Sequence, residues 1–244
     1  MSALDDLAPV PFHDADAPQR ARMLSRLADT ELTVALLREP VHDQVELQIF
    51  DLDGARVALA CDAEDRLADF FGHPVAYAAL PGRVLAGLLN ADGAGLLVNP
   101  GHPSEMLLDS GMLDWLTGAL DAAPQEGQAR LRLTAPDPQV AQALADPLAE
   151  RLADLRGLVA GAALVGASGD GAGHLLVITG APDDRQPAIA KALAEALAFL
   201  PAQPGGVDIS FSDAPPPAGA LLFDLTPPAP EEPAPRPKGP PILR

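Results

Sequence analysis

The chain has 244 residues and carries 16 Lys and Arg against 34 Asp and Glu, a formal net charge of −18. Proteins bind nucleic acids and anionic membranes through clustered Lys and Arg side chains, so the acidic charge of this chain argues against both as partners. The sequence has no run of about 18 apolar residues and begins with acidic residues, so we expect a cytoplasmic protein without a membrane span.

The apolar pattern predicts a first α+β domain over residues 1–121. Asp16 precedes a proline and caps a first helix of about three turns. Asp53-Gly54 favours a hairpin turn between two strands, and Asp62 is a plausible N-cap for the next helix. The predicted strands cover residues 32–37, 45–50, 56–60 and 94–98, and the later helices cover residues 62–71, 81–90 and 112–120.

A second α+β domain is predicted over residues 129–225, after a linker at residues 122–128 that lacks apolar periodicity. Pro147 interrupts the helical pattern that starts at Asp137, which predicts two helices here instead of one. The predicted strands are residues 129–133, 158–165, 175–179, 207–211 and 221–223, and a further helix runs from Asp183 or Asp184 to about residue 200. Each domain is expected to be a mixed sheet with helices packed on it.

Residues 226–244 are rich in proline and predict a disordered tail, partly in the polyproline II conformation. Such a tail can dock in extended form on a partner, with Ile242 and Leu243 as its apolar anchors. A solvated segment without a role is the simpler interpretation.

The sequence lacks the residue patterns that metal binding, phosphate binding and nucleophilic catalysis require. The five histidines are scattered singly, so neither a metal site nor any cofactor is expected. The glycines between residues 166 and 173 precede a strand, which favours a flexible hairpin loop over a phosphate cradle. Cys61, the single cysteine, ends an apolar strand and is expected in the core. The sequence also has no nucleophile elbow, and it therefore does not predict an enzyme.

Three residues are candidates for a binding site. Arg83 falls in the first turn of a predicted helix, where the helix dipole disfavours a cation, so a partner for its guanidinium is expected. That partner is either a nearby carboxylate or a ligand. Asn99 follows the strand at residues 94–98 and either caps the turn or faces a pocket beside Arg83. Tyr77, the single tyrosine, shares that site or packs against the protein.

The chain resembles the enhanced-serine-sensitivity (SseB) protein family. The resemblance rests on residues 36–40, 60–71 and 96–101, and on residues 158–164 followed by 175–177 for the family's C-terminal domain. It spans about residues 20 to 215 and implies two small α+β domains, with no catalytic residue to carry over.

Two functions follow as hypotheses. The first is a non-catalytic protein that binds a protein partner or self-associates, with a regulatory link to serine or amino-acid metabolism implied by the family resemblance. The alternative is a small-molecule sensor with a polar pocket near Arg83 and Asn99.

Overall fold

The structure, a computed structural model, describes residues 2–40, 45–169 and 173–225. It confirms the predicted α+β class, because the described chain forms two mixed sheets with helices packed on them. The predicted tail, with Ile242 and Leu243, lies outside the described residues. Within them, no helix is long and apolar enough to cross a bilayer.

The N-terminal sheet has the strand order β4-β1-β3-β5-β6, with β2 paired to β3. Its strands are β1 (Glu31–Ala35), β2 (Ile49–Leu52), β3 (Ala55–Cys61), β4 (Tyr77–Pro81), β5 (Gly95–Val98) and β6 (Met106–Leu108). The pair β3 and β5 runs parallel, with Ala60 opposite Val98, and the other pairs are antiparallel. The carboxyl ends of β3 and β5 therefore lie side by side at one edge of the sheet.

Helices cover the two faces of this sheet unequally. The helices are α1 (Ala3–Asp6), α2 (Ala17–Asp29), α3 (Glu64–Phe71), α4 (Gly82–Asp92) and α5 (Ser110–Leu120). The main core lies on the face covered by α2, α4 and α5, and it also buries Leu4 of α1 and Phe12. A smaller core on the other face packs Leu67 of α3 against Leu59 and Cys61.

The C-terminal sheet has the order β10-β9-β8-β11, with β7 also paired to β8. Its elements are β7 (Leu131–Thr134), α6 (Pro138–Ala153), β8 (Gly161–Gly169), β9 (Gly173–Thr179), α7 (Gln186–Ala198), β10 (Val207–Phe211) and β11 (Leu221–Asp224). Both α6 and α7 pack on one face over Leu164, Leu176 and Ile178. The pair β9 and β10 is parallel, and β10 lies at one edge of the sheet.

The predicted helix break at Pro147 is wrong, because α6 is one continuous helix with Pro147 inside it. A proline there removes one backbone hydrogen bond and leaves the carbonyl of Ala143 without its helical donor. Ala143 is exposed, so its carbonyl is accessible to solvent. The buried stripe from Val140 through Leu144 and Leu148 to Leu152 holds the helix on the sheet across the defect.

The predicted long glycine loop is also wrong, since β8 extends to Gly169 and β9 begins at Gly173. The glycines allow neighbouring backbone to come close. A Cβ added to Gly166 would lie 2.6 Å from the Ala135 carbonyl oxygen, and one added to Gly173 would lie 2.3 Å from that of Gly205. Residues 170–172 lie outside the described residues.

The segment between α5 and β7 has no helix or strand, and the predicted linker at residues 122–128 falls within it. The exact domain boundaries remain a prediction. Lys191 of α7 fixes the start of this segment by donating to the carbonyls of Leu120 and Ala122, at 2.7 Å each. Trp115 of α5 packs edge-on against Phe199, with ring centroids 5.6 Å apart, and joins the two halves.

Two glycines of α4 provide a matched test of the packing between α2 and α4. A Cβ at Gly82 would lie 2.0 Å from the Leu27 carbonyl oxygen, whereas one at Gly87 meets nothing within 4 Å. We expect Gly82→Ala to destabilise the protein by about 2 to 3 kcal/mol, because the helices must move apart. Gly87→Ala should stabilise it by about 0.5 to 1 kcal/mol through helix propensity. Urea unfolding of both variants measures the difference, and equal stabilities would contradict this packing.

Candidate functional site

A buried group of polar side chains lies where β3 and β5 end. We call it the carboxyl-edge cluster, and it consists of Asp5, Asp62, Arg66, Asn99 and Ser104. Asp62 and Asn99 directly follow the two parallel strands, Arg66 lies in the first turn of α3, and Ser104 precedes β6. Asp5 comes from α1. In sheets with parallel strands, ligands commonly bind at such carboxyl ends.

Asn99 holds the two strand ends together. Its side-chain oxygen accepts from the Asp62 backbone N–H at 3.0 Å, and its amide group donates to Ser104 Oγ at 2.9 Å. The residue is fully buried and has a φ of 47°. A left-handed backbone at a residue other than glycine costs about 1 kcal/mol and points to a constrained position.

Asp5 and Arg66 form a buried ion pair. The guanidinium contacts both oxygens of the Asp5 carboxylate, and Ser104 Oγ donates to Asp5 Oδ1 at 2.6 Å. The Ser2 backbone N–H adds a bond of 3.0 Å. The hydrogen bond from Arg66, with those from Ser104 and Ser2, lowers the pKa of Asp5 far below its usual value, and the same pairing raises the pKa of Arg66.

Asp62 is less well satisfied. Its side chain is only 3% exposed, and Arg66 Nη1 lies 3.1 Å from Asp62 Oδ1. Neither carboxylate oxygen accepts a hydrogen bond from the described residues. The sequence suggested Asp62 as an N-cap, and that was wrong, since Ala63 holds the cap position of α3. Two carboxylates therefore share one guanidinium, which leaves a formal excess of one negative charge.

Arg83 lies in a different group, at the contact between the two halves of the protein. Its guanidinium pairs with Asp29 at 2.6 Å and with Glu195 of α7 at 3.2 Å. Arg151 of α6 pairs with the same Asp29 at 3.2 Å. These side chains surround a cavity of about 170 Å³. The expected partner of Arg83 is thus a pair of carboxylates, and one of them lies in the C-terminal half.

The structure does not bring Arg83, Asn99 and Tyr77 together. Arg83 and Asn99 share no hydrogen-bond partner among the described residues. Tyr77 is 38% exposed on the edge strand β4, where the nearby Glu64 carboxylate raises its pKa. No hydrogen bond or ion pair between described residues links any two of the three. Their role in binding remains a prediction.

A long groove lies on the C-terminal half, with a volume of about 1160 Å³. We call it the β10 groove. It is lined by the edge strand β10, by α7 and by the connecting segment 124–129, which we call the strap. Its acidic side chains are Glu126, Asp183 and Asp208, and none of the described residues lining it is Lys or Arg.

The free edge of β10 faces this groove. The His174 N–H donates to the Gly206 carbonyl, and the Ser212 N–H donates to the Ile178 carbonyl. The backbone N–H and C=O groups of the even-numbered residues of β10 therefore point toward β9. Peptide groups alternate sides along a strand, and those of Val207, Ile209 and Phe211 therefore point outward. In the described chain, no other strand pairs with this edge.

The comparison with protein families identifies part of the chain. Residues 11–115 match the SseB protein N-terminal domain. The SseB match contains Asp62, Arg66, Asn99 and Ser104, and Asp5 precedes it. Comparisons with curated proteins and with solved structures gave no match.

Sequence reasoning selected Asn99 but missed the rest of the carboxyl-edge cluster. Asp62 and Asn99 each follow an apolar run, and this was the available signal. The sequence did not predict that the two runs would pair in parallel. Among the described residues, no three His, Cys, Asp or Glu side chains are placed to hold a metal ion.

The ionised Asp5 carboxylate should contribute stability near neutral pH. Its folded pKa lies below the unfolded value of about 4, so this contribution is present above pH 4 and is lost as the pH falls below it. Asp5→Asn should cost about 3 kcal/mol at pH 7, because Arg66 and Ser104 lose the buried charged acceptor on which they converge and Arg66 keeps only Asp62. Urea unfolding at pH 7 and pH 3 should show a smaller difference from the natural sequence at pH 3. An equal difference at both values would contradict this role.

Cys61 should resist alkylation in the folded protein. It is fully buried, and its desolvation, with the nearby Asp62 carboxylate, raises the pKa of the thiol to about 11. Since the thiolate is the reactive form, iodoacetamide at pH 8 should react at least about a hundredfold more slowly than with the protein in urea. Mass spectrometry measures the rate at this single cysteine. Fast labelling of the native protein would show that the β3 end opens readily.

Proposed function

We propose that the protein is a binding protein that holds an extended segment of a partner protein in the β10 groove. The observation that supports this most directly is the open edge of β10 beside α7. An extended peptide that adds to such an edge gains backbone hydrogen bonds, and the flanking surfaces select its side chains.

The lining of the groove indicates the chemistry of the segment. Ala190, Ala194 and Leu197 of α7 line the groove with apolar side chains, and Leu131 and Leu175 add two more. Glu126, Asp183 and Asp208 supply negative charge that no lining cation neutralises. A segment that alternates apolar residues with Lys or Arg fits both properties.

The wider proposal is that the whole chain belongs to the SseB family and acts without catalysis in the cytoplasm. The match to the SseB N-terminal domain supports the first half of the chain. Membership for the C-terminal half and a link to serine or amino-acid metabolism rest on the resemblance of its sequence. The buried, protonated Cys61 thiol supports binding over nucleophilic chemistry.

The sensor alternative is less well supported at Arg83. The cavity there has a volume of about 170 Å³, below the 300 Å³ or so that is typical of ligand pockets. Its charged groups are already paired with one another. Asn99 belongs to the carboxyl-edge cluster and not to this cavity.

The test uses two labelled heptapeptides, one alternating Lys or Arg with Val or Ile, and one with Glu in place of the cations. Fluorescence anisotropy should show at least tenfold tighter binding of the cationic peptide. Its affinity should fall as salt rises, because salt screens the acidic lining. Equal affinity for both peptides would overturn the proposal.

A matched pair of variants tests the edge itself. Ile209→Pro removes an outward N–H but no bond to β9, and proline is tolerated on such an edge. It should weaken binding of the cationic peptide at least tenfold, whereas Ile209→Val should bind as the natural sequence does. Unchanged binding by Ile209→Pro, in a protein whose circular dichroism is native, would contradict strand addition. A dimer by light scattering that Ile209→Pro dissociates would instead assign the edge to a second copy.

A further inference from the structure

We infer that the carboxyl-edge cluster is a closed binding site for a small molecule that carries both a carboxylate and an ammonium group, with Asp5 occupying the carboxylate position. This site lies in the N-terminal half and is independent of the β10 groove.

The carboxylate position is defined by what Asp5 contacts. A guanidinium fork and the Ser104 hydroxyl converge on the Asp5 carboxylate, and this is the donor set that recognises a carboxylate in a protein. Asn99 holds the Ser104 hydroxyl in place through its own donated bond of 2.9 Å. The donors are therefore positioned before any ligand arrives.

The ammonium position is defined by Asp62. A buried carboxylate normally accepts hydrogen bonds, and both oxygens of Asp62 accept none from the described residues. An ammonium group has three donors and no acceptor, so it satisfies these oxygens and removes the excess negative charge. A second guanidinium would also neutralise the charge, but the cluster contains only Arg66.

The spacing selects the ligand class. Arg66 Nη1 lies 3.3 Å from Asp5 Oδ1 and 3.1 Å from Asp62 Oδ1, so only one nitrogen separates the two positions. A ligand that carries its two groups on the same or adjacent carbons fits this spacing. An α-amino acid with a small side chain meets this condition.

Asp5 is supplied by a different part of the chain from the rest of the cluster. The SseB match begins at residue 11 and contains Asp62, Arg66, Asn99 and Ser104. The helix α1 has only four residues and is held by the Ser2 capping box and by burial of Leu4. Ligand entry then requires α1 to leave, so Asp5 competes with the ligand's carboxylate for Arg66.

Calorimetric titration of the full chain tests this inference with three probes: glycine, acetate and methylammonium. Asp5→Ala removes the internal competitor and should raise glycine affinity at least tenfold. The matched control is Asp6→Ala, because Asp6 is adjacent and exposed and makes no contact with the cluster in the described structure. It should bind glycine as the natural sequence does. Asp5→Ala should also bind glycine at least tenfold more tightly than acetate or methylammonium.

A second variant separates the two halves of the site. Asp62→Asn, combined with Asp5→Ala, should lower glycine affinity to that of acetate, since the ammonium loses its carboxylate. Equal affinity of Asp5→Ala for glycine and acetate would overturn the inference. So would an absence of glycine binding in a variant whose circular dichroism is native.

Hydrogen exchange on the natural sequence decides the matter if Asp5→Ala does not fold. Stepwise addition of glycine should speed exchange of the amides of residues 4–8, because α1 is displaced, and should slow exchange of the Asp62 amide. Bound glycine with unchanged exchange in residues 4–8 would show that Asp5 does not occupy the ligand position. Failure of this test leaves peptide binding in the β10 groove unaffected.

Discussion

The parallel pairing of β3 with β5 is the constraint on which the N-terminal half depends. It sets Ala60 opposite Val98, so that Asp62 and Asn99, the first residues after β3 and β5, meet at one edge. A parallel pair requires a crossover connection, and here the crossover contains α3, β4 and α4. The same pairing thus places Arg66 of α3 over the strand ends. The C-terminal sheet repeats this logic, because its parallel pair β9 and β10 is joined through α7, and the groove forms beside it.

The charges of the protein are distributed in two ways that have different energetic consequences. In the carboxyl-edge cluster, Asp5 and Arg66 are removed from water, so each depends strongly on its partner. Around Asp29 and Arg83 the groups remain partly exposed, and each ion pair there is worth only a fraction of a kcal/mol to about 1 kcal/mol. The contact between the two halves relies instead on packing such as that of Trp115 with Phe199.

The sequence predicted the α+β class and most of the elements in which apolar residues recur regularly over several turns, such as α2. It missed β4 and β6 because neither shows a clear period. Two of the five residues of β4 are alanine and its last residue is proline, and β6 has only three residues. The sequence predicted a helix break at Pro147 because local helix propensity does not include the packing of the buried stripe of α6 against the sheet. The glycine-rich stretch near residue 166 was interpreted as a loop because the close approach of β7 is invisible locally.

The candidate sites show the same limit. Asn99 stood out because a polar residue follows its apolar strand, and Arg83 stood out because a cation opposes the helix dipole. Asp5 and Ser104 gave no such signal, since they lie 99 positions apart and meet only through the fold.

The strap has a further consequence. Lys191 fixes one end and the pairing of β7 with β8 fixes the other, so residues inserted between them enlarge the groove without repacking either core. Doubling the length of such a loop costs only about 0.6 kcal/mol. The size of the groove can therefore change while the two sheets stay the same.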